Sequence, residues 1–250
     1  MLLLLKRTIN YNNPGFLKLN EYLEKLYKKY FPNIAYIYPE TIEQSSNNII
    51  ICNESNSGYF SYNCIGNIYS KFPYYKGYLL INDDVYIKVW ELENFDFSIP
   101  WFYEFRAIKT INKSWFHYER CIKLYEIYEN NLDWKINITQ FFGVFDIFIG
   151  LSDLYYIPNY YISKFVELSK KMYESRIFLE CAVHASFGII LAPKNQYLHI
   201  RPLWDLERKN VLNILYTDHQ QFSIHPIKFS CDKNKNAVDK YNFFIISNYY

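Results

Sequence analysis

The sequence predicts an α/β protein built on one central mixed, mostly parallel sheet flanked by helices. Three observations predict it. Short apolar runs of strand length alternate with stretches whose apolar residues recur at helical spacing. One run, Gly77-Tyr78-Leu79-Leu80-Ile81, is mostly apolar and bounded by a glycine, as a strand buried on both faces of a parallel or mixed sheet is. That run stops abruptly in Asn82-Asp83-Asp84. Two carboxylates then stand at the carboxyl end of a strand, the edge where open α/β sheets place their ligands.

The elements follow in order. Leu2 to Lys6 forms a first buried strand. Asn13-Pro14-Gly15 is a turn signal, and Phe16 to Tyr30 is helical, with Leu17, Leu19, Tyr22, Leu23, Leu26 and Tyr27 on its apolar face. Pro32-Asn33 ends that helix. Ile34 to Tyr38 and Ile49 to Cys52 are the second and third strands. Tyr62 to Phe72 carries a weaker helical pattern ahead of the Gly77 strand, and an apolar-rich segment resumes at Val85. Trp90 to Phe105 reads as an aromatic segment that packs in the core, with a loop near the sheet edge as its other reading. Ser114 to Asn130 reads as one helix with Phe116, Cys121, Leu124 and Ile127 in the core. Gly150 to Ile157 is a turn feeding a strand that stops at Pro158. Helices are expected over Tyr160 to Tyr173 and Ile177 to Leu191. Tyr197 to Arg201 is a strand, and the tail from Cys231 packs back as a last helix or strand.

Bulk properties narrow the function. Of 250 residues, 50% are hydrophobic and 21% charged, so the chain folds around a core. A net charge of +2 with no Lys/Arg track argues against a nucleic-acid partner. The five cysteines are widely spaced with no CxxC pair, so neither a disulfide framework nor a structural zinc site is expected. MLLLLKR is too short for a signal-peptide core, no stretch reaches 18 apolar residues, and no linker divides the chain. The chain reads as soluble and cytoplasmic, in a viral or host cell, or as one domain of a Golgi enzyme if it is a fragment. GxGxxG after the first strand and GxxxxGK[ST] are both absent, which disfavours hydride-transfer and P-loop chemistry.

Four groups of residues carry candidate chemistry. Asp83 and Asp84 at a strand end call for a cation or a dense set of donors, although an Asx turn also accounts for Asn82-Asp83-Asp84. Glu180 and His184 lie one turn apart on a helix that is apolar all round. They are either a buried pair that fixes the helix, or a base and its neighbour facing a cleft, where burial raises the carboxyl pKa. His225 precedes Pro226 and is therefore held extended, with Lys228 three residues on, placed to meet an anion or to form a surface turn. Trp101 and Trp204 offer aromatic faces, Trp101 with core packing as its other reading.

The stretch Gly77-Tyr78-Leu79-Leu80-Ile81-Asn82-Asp83-Asp84-Val85, followed by Trp90, resembles the metal-binding segment of GT-A glycosyltransferases. It is most similar to the eukaryotic and large-virus group around the plant STELLO proteins. The segment around Glu180 and His225-Pro226-Ile227-Lys228 resemble later blocks of that group, and the likeness covers about Ile49 to Ser230. It implies a Rossmann-like GT-A fold over residues 1–250, with a nucleotide-sugar half (1–91) and an acceptor, metal and diphosphate half (92–250). It implies Mn²⁺ or Mg²⁺ on Asp84 and His225, and a nucleotide-diphosphate sugar, UDP-linked ahead of GDP-linked, contacted by Asn82, Asp83 and Lys228. The acceptor carries a hydroxyl group. Its base is Glu180, with Asp153 second, and Trp101, Trp204 and His184 lie near its sugar. Asn82 departs from the family's usual Asp. A catalytically degenerate binding or scaffold module and a nucleotidyltransferase are the alternatives.

Overall fold

In the computed structural model, residues 1–6, 15–39, 48–53, 58–192, 196–200, 202–204, 222–225, 235–236, 238–240 and 242 are described. The first half runs β1 (Leu2–Lys6), α1 (Gly15–Tyr27), β2 (Ile34–Tyr38), β3 (Ile49–Ile51), α2 (Ile65–Lys71), β4 (Gly77–Asn82) and β5 (Tyr86–Ile87). Next come β6 (Trp101–Tyr103), β7 (Phe105–Ala107), α3 (Tyr118–Ile122), α4 (Leu124–Glu129), α5 (Leu132–Phe142), β8 (Phe148–Gly150) and β9 (Leu154–Pro158). The chain then forms α6 (Asn159–Glu174), α7 (Leu179–Leu191), β10 (Leu198–Ile200), β11 (Pro202–Trp204) and β12 (Ser223–His225).

A seven-stranded sheet in the order β10-β6-β9-β4-β1-β2-β3 forms the centre. β9 pairs antiparallel with both β4 and β6, and every other pairing in this sheet is parallel. The expected mixed, mostly parallel α/β sheet is therefore present, with one reversed strand. The consequence for function is geometric. The carboxyl ends of β4 and β6 and the amino end of β9 meet at one edge, which brings Asn82, Glu104 and Asp153 to the same rim.

Successive residues of the central strands enter different cores. Leu2, Leu4, Tyr78, Leu80, Tyr155 and Ile157 pack on the face that α2, α5, α6 and α7 cover. Leu3, Leu5, Leu79, Ile81, Leu154 and Tyr156 pack on the other, with Leu23 and Tyr27 of α1. Strands buried on both faces have no polar side to show, which is why Leu2 to Leu5 and Tyr78 to Ile81 are unbroken apolar runs. Each such buried Leu or Ile contributes about 1.5–3 kcal/mol.

The core-packing reading of Trp90–Phe105 is the one the structure has at Trp101–Tyr103, since β6 is buried and hydrogen-bonded between β10 and β9. Several other expectations need correction. The helix expected over Ser114–Asn130 is broken into α3 and α4, and Phe116 is 74% exposed rather than core. Its neighbours explain this, since Asn112 Oδ1 accepts from both the Ser114 amide and hydroxyl, a turn that competes with a helix start. α5 had no counterpart in the sequence reading. The cysteines also behave otherwise than their spacing suggests. Cys52 and Cys64 are disulfide-bonded, with Cα atoms 5.7 Å apart, because the chain after β3 folds back into the short 3₁₀ turn at Ser61–Cys64. Cys121 and Cys181 are buried free thiols. No helix among the described residues is long and apolar enough to cross a membrane.

Candidate active site

The rim at the end of β4 is built by hydrogen bonds to the start of β9. The Asn82 backbone N–H donates to the Asp153 carbonyl at 2.8 Å, and the Asn82 amide donates to the Asp153 carboxylate. Asn82 thus ties the two strand ends together, and its amide is turned along the sheet edge toward Asp153. Asp83 is buried and Asp84 half-buried immediately beyond it. The turn closes when the Val85 N–H donates to the Asn82 carbonyl at 3.1 Å.

Tyr103, the last residue of β6, sits beneath this rim. Burial raises its phenol well above the usual range, and the charges of Asp153 and Asp84 add to that, so both carboxylates lie within electrostatic reach of its ring. Its hydroxyl is 3.0 Å from Ser223 Oγ on β12. β12 in turn runs antiparallel to β5, with Ser223 opposite Ile87 and Ile224 opposite Tyr86. Trp204 pairs with His225 in the parallel β11–β12 ladder. The fold therefore joins β12, which ends at His225, to β5, the short strand that follows the acidic turn. The side chains of His225 and Trp204, and all of Lys228, lie outside the described residues.

Glu180 occupies the first turn of α7. A helix start favours a carboxylate, yet the Glu180 carboxyl is pushed up from 4.5 to about 8. Desolvation is the largest cause and the charge of Asp153 the next, and Arg106 offsets them in part. Glu180 opens onto a cavity of about 720 Å³, which Glu104, Arg106, Thr110, Asn112 and Trp115 also line. Its location fits a proton acceptor whose affinity for a proton lies near working pH. Asp153, the second candidate base, is the link between the two centres, since it bonds Asn82 and bears electrostatically on Glu180.

Two sequence candidates are packed away from any ligand. Trp101 is fully buried, its Nε1 donates to the Asp96 carbonyl at 2.8 Å, and its ring stacks on Tyr156 at 4.3 Å with Phe95 and Phe97 at its edges. It has no face for a sugar. His184 is also fully buried, and its pKa is lowered to about 4, chiefly by desolvation. Its Nδ1 lies 2.8 Å from the Glu180 backbone carbonyl and its Nε2 3.2 Å from the Tyr103 carbonyl. A neutral imidazole has one N–H, so it donates to one of these two carbonyls at a time. Packed between both, the fully buried His184 braces α7 against β6 and makes no acceptor contact. Its contact with residue 180 is to the carbonyl, and Glu180 lines the cavity. Gly150 completes the brace, since a β-carbon there would overlap the His184 ring and the Glu104 carbonyl oxygen.

Reading the sequence missed Glu104, Arg106, Asn112 and Trp115. Their one signal is the alternation Glu104-Phe105-Arg106, polar residues flanking an aromatic just past a buried strand.

Among the described residues no group of three or more His, Cys, Asp or Glu is arranged to hold a metal ion. The donors at the rim are carboxylate oxygens, which suit a hard divalent cation that takes its remaining ligands from water and phosphate.

No protein-family model matches the chain, and no curated protein matches it. Among solved structures, it is similar to one described as a glycosyltransferase involved in the glycosylation of the major capsid of PBCV-1. The TM-score is 0.47 and the identity 11%, over 96% of this chain and 98% of that one.

Proposed function

We propose that the protein is a metal-dependent glycosyltransferase that moves a sugar from a nucleotide-diphosphate sugar, UDP-linked before GDP-linked, to a hydroxyl acceptor. The observation that carries this reading is the meeting of two unlike carboxyl sites on one sheet edge, an acidic turn at Asn82–Asp84 and a desolvated Glu180 over a cavity, joined through Asp153. The resemblance of Gly77–Trp90 to a GT-A metal segment supports the same reading, as does the pairing of β12, which ends at His225, with β5 just after the acidic turn.

In this reading residues 1–91 hold the nucleotide and residues 92–250 hold the acceptor and complete the metal and diphosphate site. Asp84 and His225 would hold Mn²⁺ or Mg²⁺, and bound there the ion neutralises the charge that develops on the nucleoside diphosphate as it leaves. Asp83 and Lys228 would contact the donor, Lys228 at its diphosphate. Asn82 keeps the acidic turn fixed against Asp153. Glu180, once deprotonated, takes the proton from the acceptor hydroxyl, and the low-dielectric surroundings that raise its pKa also strengthen it as a base. Arg106 supplies the positive charge that limits this rise.

The Cys52–Cys64 disulfide favours an oxidising compartment, so of the two settings the sequence allows, a Golgi-type lumen fits better than the cytoplasm. A second reading, a catalytically degenerate binding module, draws support from Asn82, whose amide is engaged within the protein at the position where the family carries an acid.

A thermal-shift screen of UDP and GDP, each with Mn²⁺ or with EDTA, separates the two. A stabilising shift with one nucleotide that EDTA removes supports the transferase reading. No shift with either nucleotide overturns the donor site.

A further inference from the structure

The cavity at Glu180 has a lining that is part aromatic and part polar. Trp115 is half-buried on its wall. The indole is held in place by edge-to-face contacts with His117 at 5.3 Å and Phe178 at 5.5 Å, and His117 stacks flat on Phe178 at 3.7 Å. Phe178 is the residue from which α7 starts, two before Glu180, so the aromatic wall and the carboxyl are positioned by the same helix end. The Trp115 backbone is fixed as well, its N–H donating to the Asn112 carbonyl at 2.9 Å.

Polar groups of both kinds surround this indole. Glu104 and Glu180 are carboxyl groups, and Arg106 is a donor. Asn112 has its oxygen occupied by Ser114, so its amide nitrogen is turned to use as a donor. Thr110 donates its hydroxyl to the Ala107 carbonyl at 2.7 Å, which leaves its oxygen to accept. A hydrocarbon chain in this cavity would strip water from charged groups and return nothing. A pyranose matches it, having a C–H face for the indole and a rim of hydroxyls that both donate and accept. The volume, about 720 Å³, is ample for a sugar of more than one ring.

We infer that the hydroxyl acceptor is itself a carbohydrate, held with one pyranose ring against Trp115 so that a hydroxyl reaches Glu180. This rests on the transferase reading for the identity of the reaction, while saccharide binding to the cavity can be measured apart from it.

The experiment is saturation-transfer NMR followed by calorimetry. The probes are methyl glycosides and disaccharides of glucose, galactose, mannose, xylose and N-acetylglucosamine, with a Ser/Thr peptide as the competing acceptor class. Wild type is compared with Trp115→Ala, Trp115→Phe and Asn112→Ala. At least one saccharide is expected to bind the wild type. Trp115→Ala should weaken it by about tenfold or more, Trp115→Phe should retain most of the affinity, and Asn112→Ala, which removes both the amide donor and the turn that sets Trp115 on the wall, should weaken it too. The Mn²⁺–nucleotide thermal shift should persist in all three variants. Absence of binding by every saccharide, binding indifferent to both Trp115→Ala and Asn112→Ala, or binding of the peptide in their place overturns the inference. If the wild type binds saccharide but gives no nucleotide shift, the donor reading falls and the carbohydrate site stands.

Discussion

Asp84 follows the end of a strand and Glu180 lies in the first turn of a helix, and the two carboxyl groups are held in different ways. The acidic turn is pinned by two hydrogen bonds between Asn82 and Asp153 and is half open to water at Asp84. Glu180 faces a cavity, and desolvation together with the charge of Asp153 outweighs both the helix start and Arg106. The first arrangement holds its carboxyl groups by hydrogen bonds between strand ends. The second keeps a proton affinity that chemistry can use. One fold supplies both because a single reversed strand, β9, brings its amino end to the rim where β4 and β6 terminate.

The largest expected effect separates the two centres outright. Glu180→Gln should reduce transfer by about a hundredfold or more. Its effect on stability should have the opposite sign. The folded-state pKa of Glu180, about 8, lies above its unfolded value of 4.5. Between those pH values the folded chain holds a proton that the unfolded chain has lost, so stability falls as pH rises through the window. Glutamine removes that cost, and the variant should melt higher than wild type at pH 8. Lower activity together with a lower melting temperature at that pH would mean that Glu180 serves structure.

Next in size is the disulfide, whose two cysteines both lie within residues 1–91. Cys52 and Cys64 are 12 residues apart, and opening a loop of that size costs about 2–3 kcal/mol. Reduction, or Cys52→Ser with Cys64→Ser, should lower the melting temperature while leaving the pH dependence of the Glu180 step unchanged. A shift in that pH profile would show the halves to be more tightly coupled than the hydrogen bonds suggest.

Gly150→Ala tests the brace behind Glu180. The added methyl meets the His184 ring and the Glu104 carbonyl. Overpacking of this kind costs about 1–3 kcal/mol, measurable by urea denaturation. Activity should fall with it, since α7 must shift. The smallest effect expected is the most informative about coupling. Asp153→Asn removes a charge that raises the Glu180 pKa, so the rising limb of the rate-against-pH curve should move to lower pH. An unmoved limb would separate Asp153 from Glu180.

How much of this was legible in the sequence varies with the kind of information. The sheet was readable because strands buried on both faces need unbroken apolar runs, as at Leu2–Leu5 and Tyr78–Ile81. Helix α7 was readable for the same reason, being apolar all round. The acidic turn and Glu180 stood out because carboxylates beside such runs are costly to leave there. Trp101 and Trp115 show the limit. Both are tryptophans in aromatic-rich segments, and only the pairing of β6 inside the sheet buries one, while the Asn112 turn leaves the other on a cavity wall. Local sequence carries no record of which strand lies beside which. The same is true of Cys52 and Cys64, whose spacing follows no ligand motif and which meet because the chain after β3 turns back.

The central claim is that the two carboxyl sites divide the work, donor binding at Asp84 and proton removal at Glu180. Calorimetric titration of UDP in the presence of Mn²⁺ tests it most directly when run on wild type, Asp84→Asn and Glu180→Gln side by side. The expected result is binding by wild type and Glu180→Gln with similar affinity, and none by Asp84→Asn at an unchanged melting temperature. Binding that survives Asp84→Asn, or that is lost in Glu180→Gln, would contradict the division.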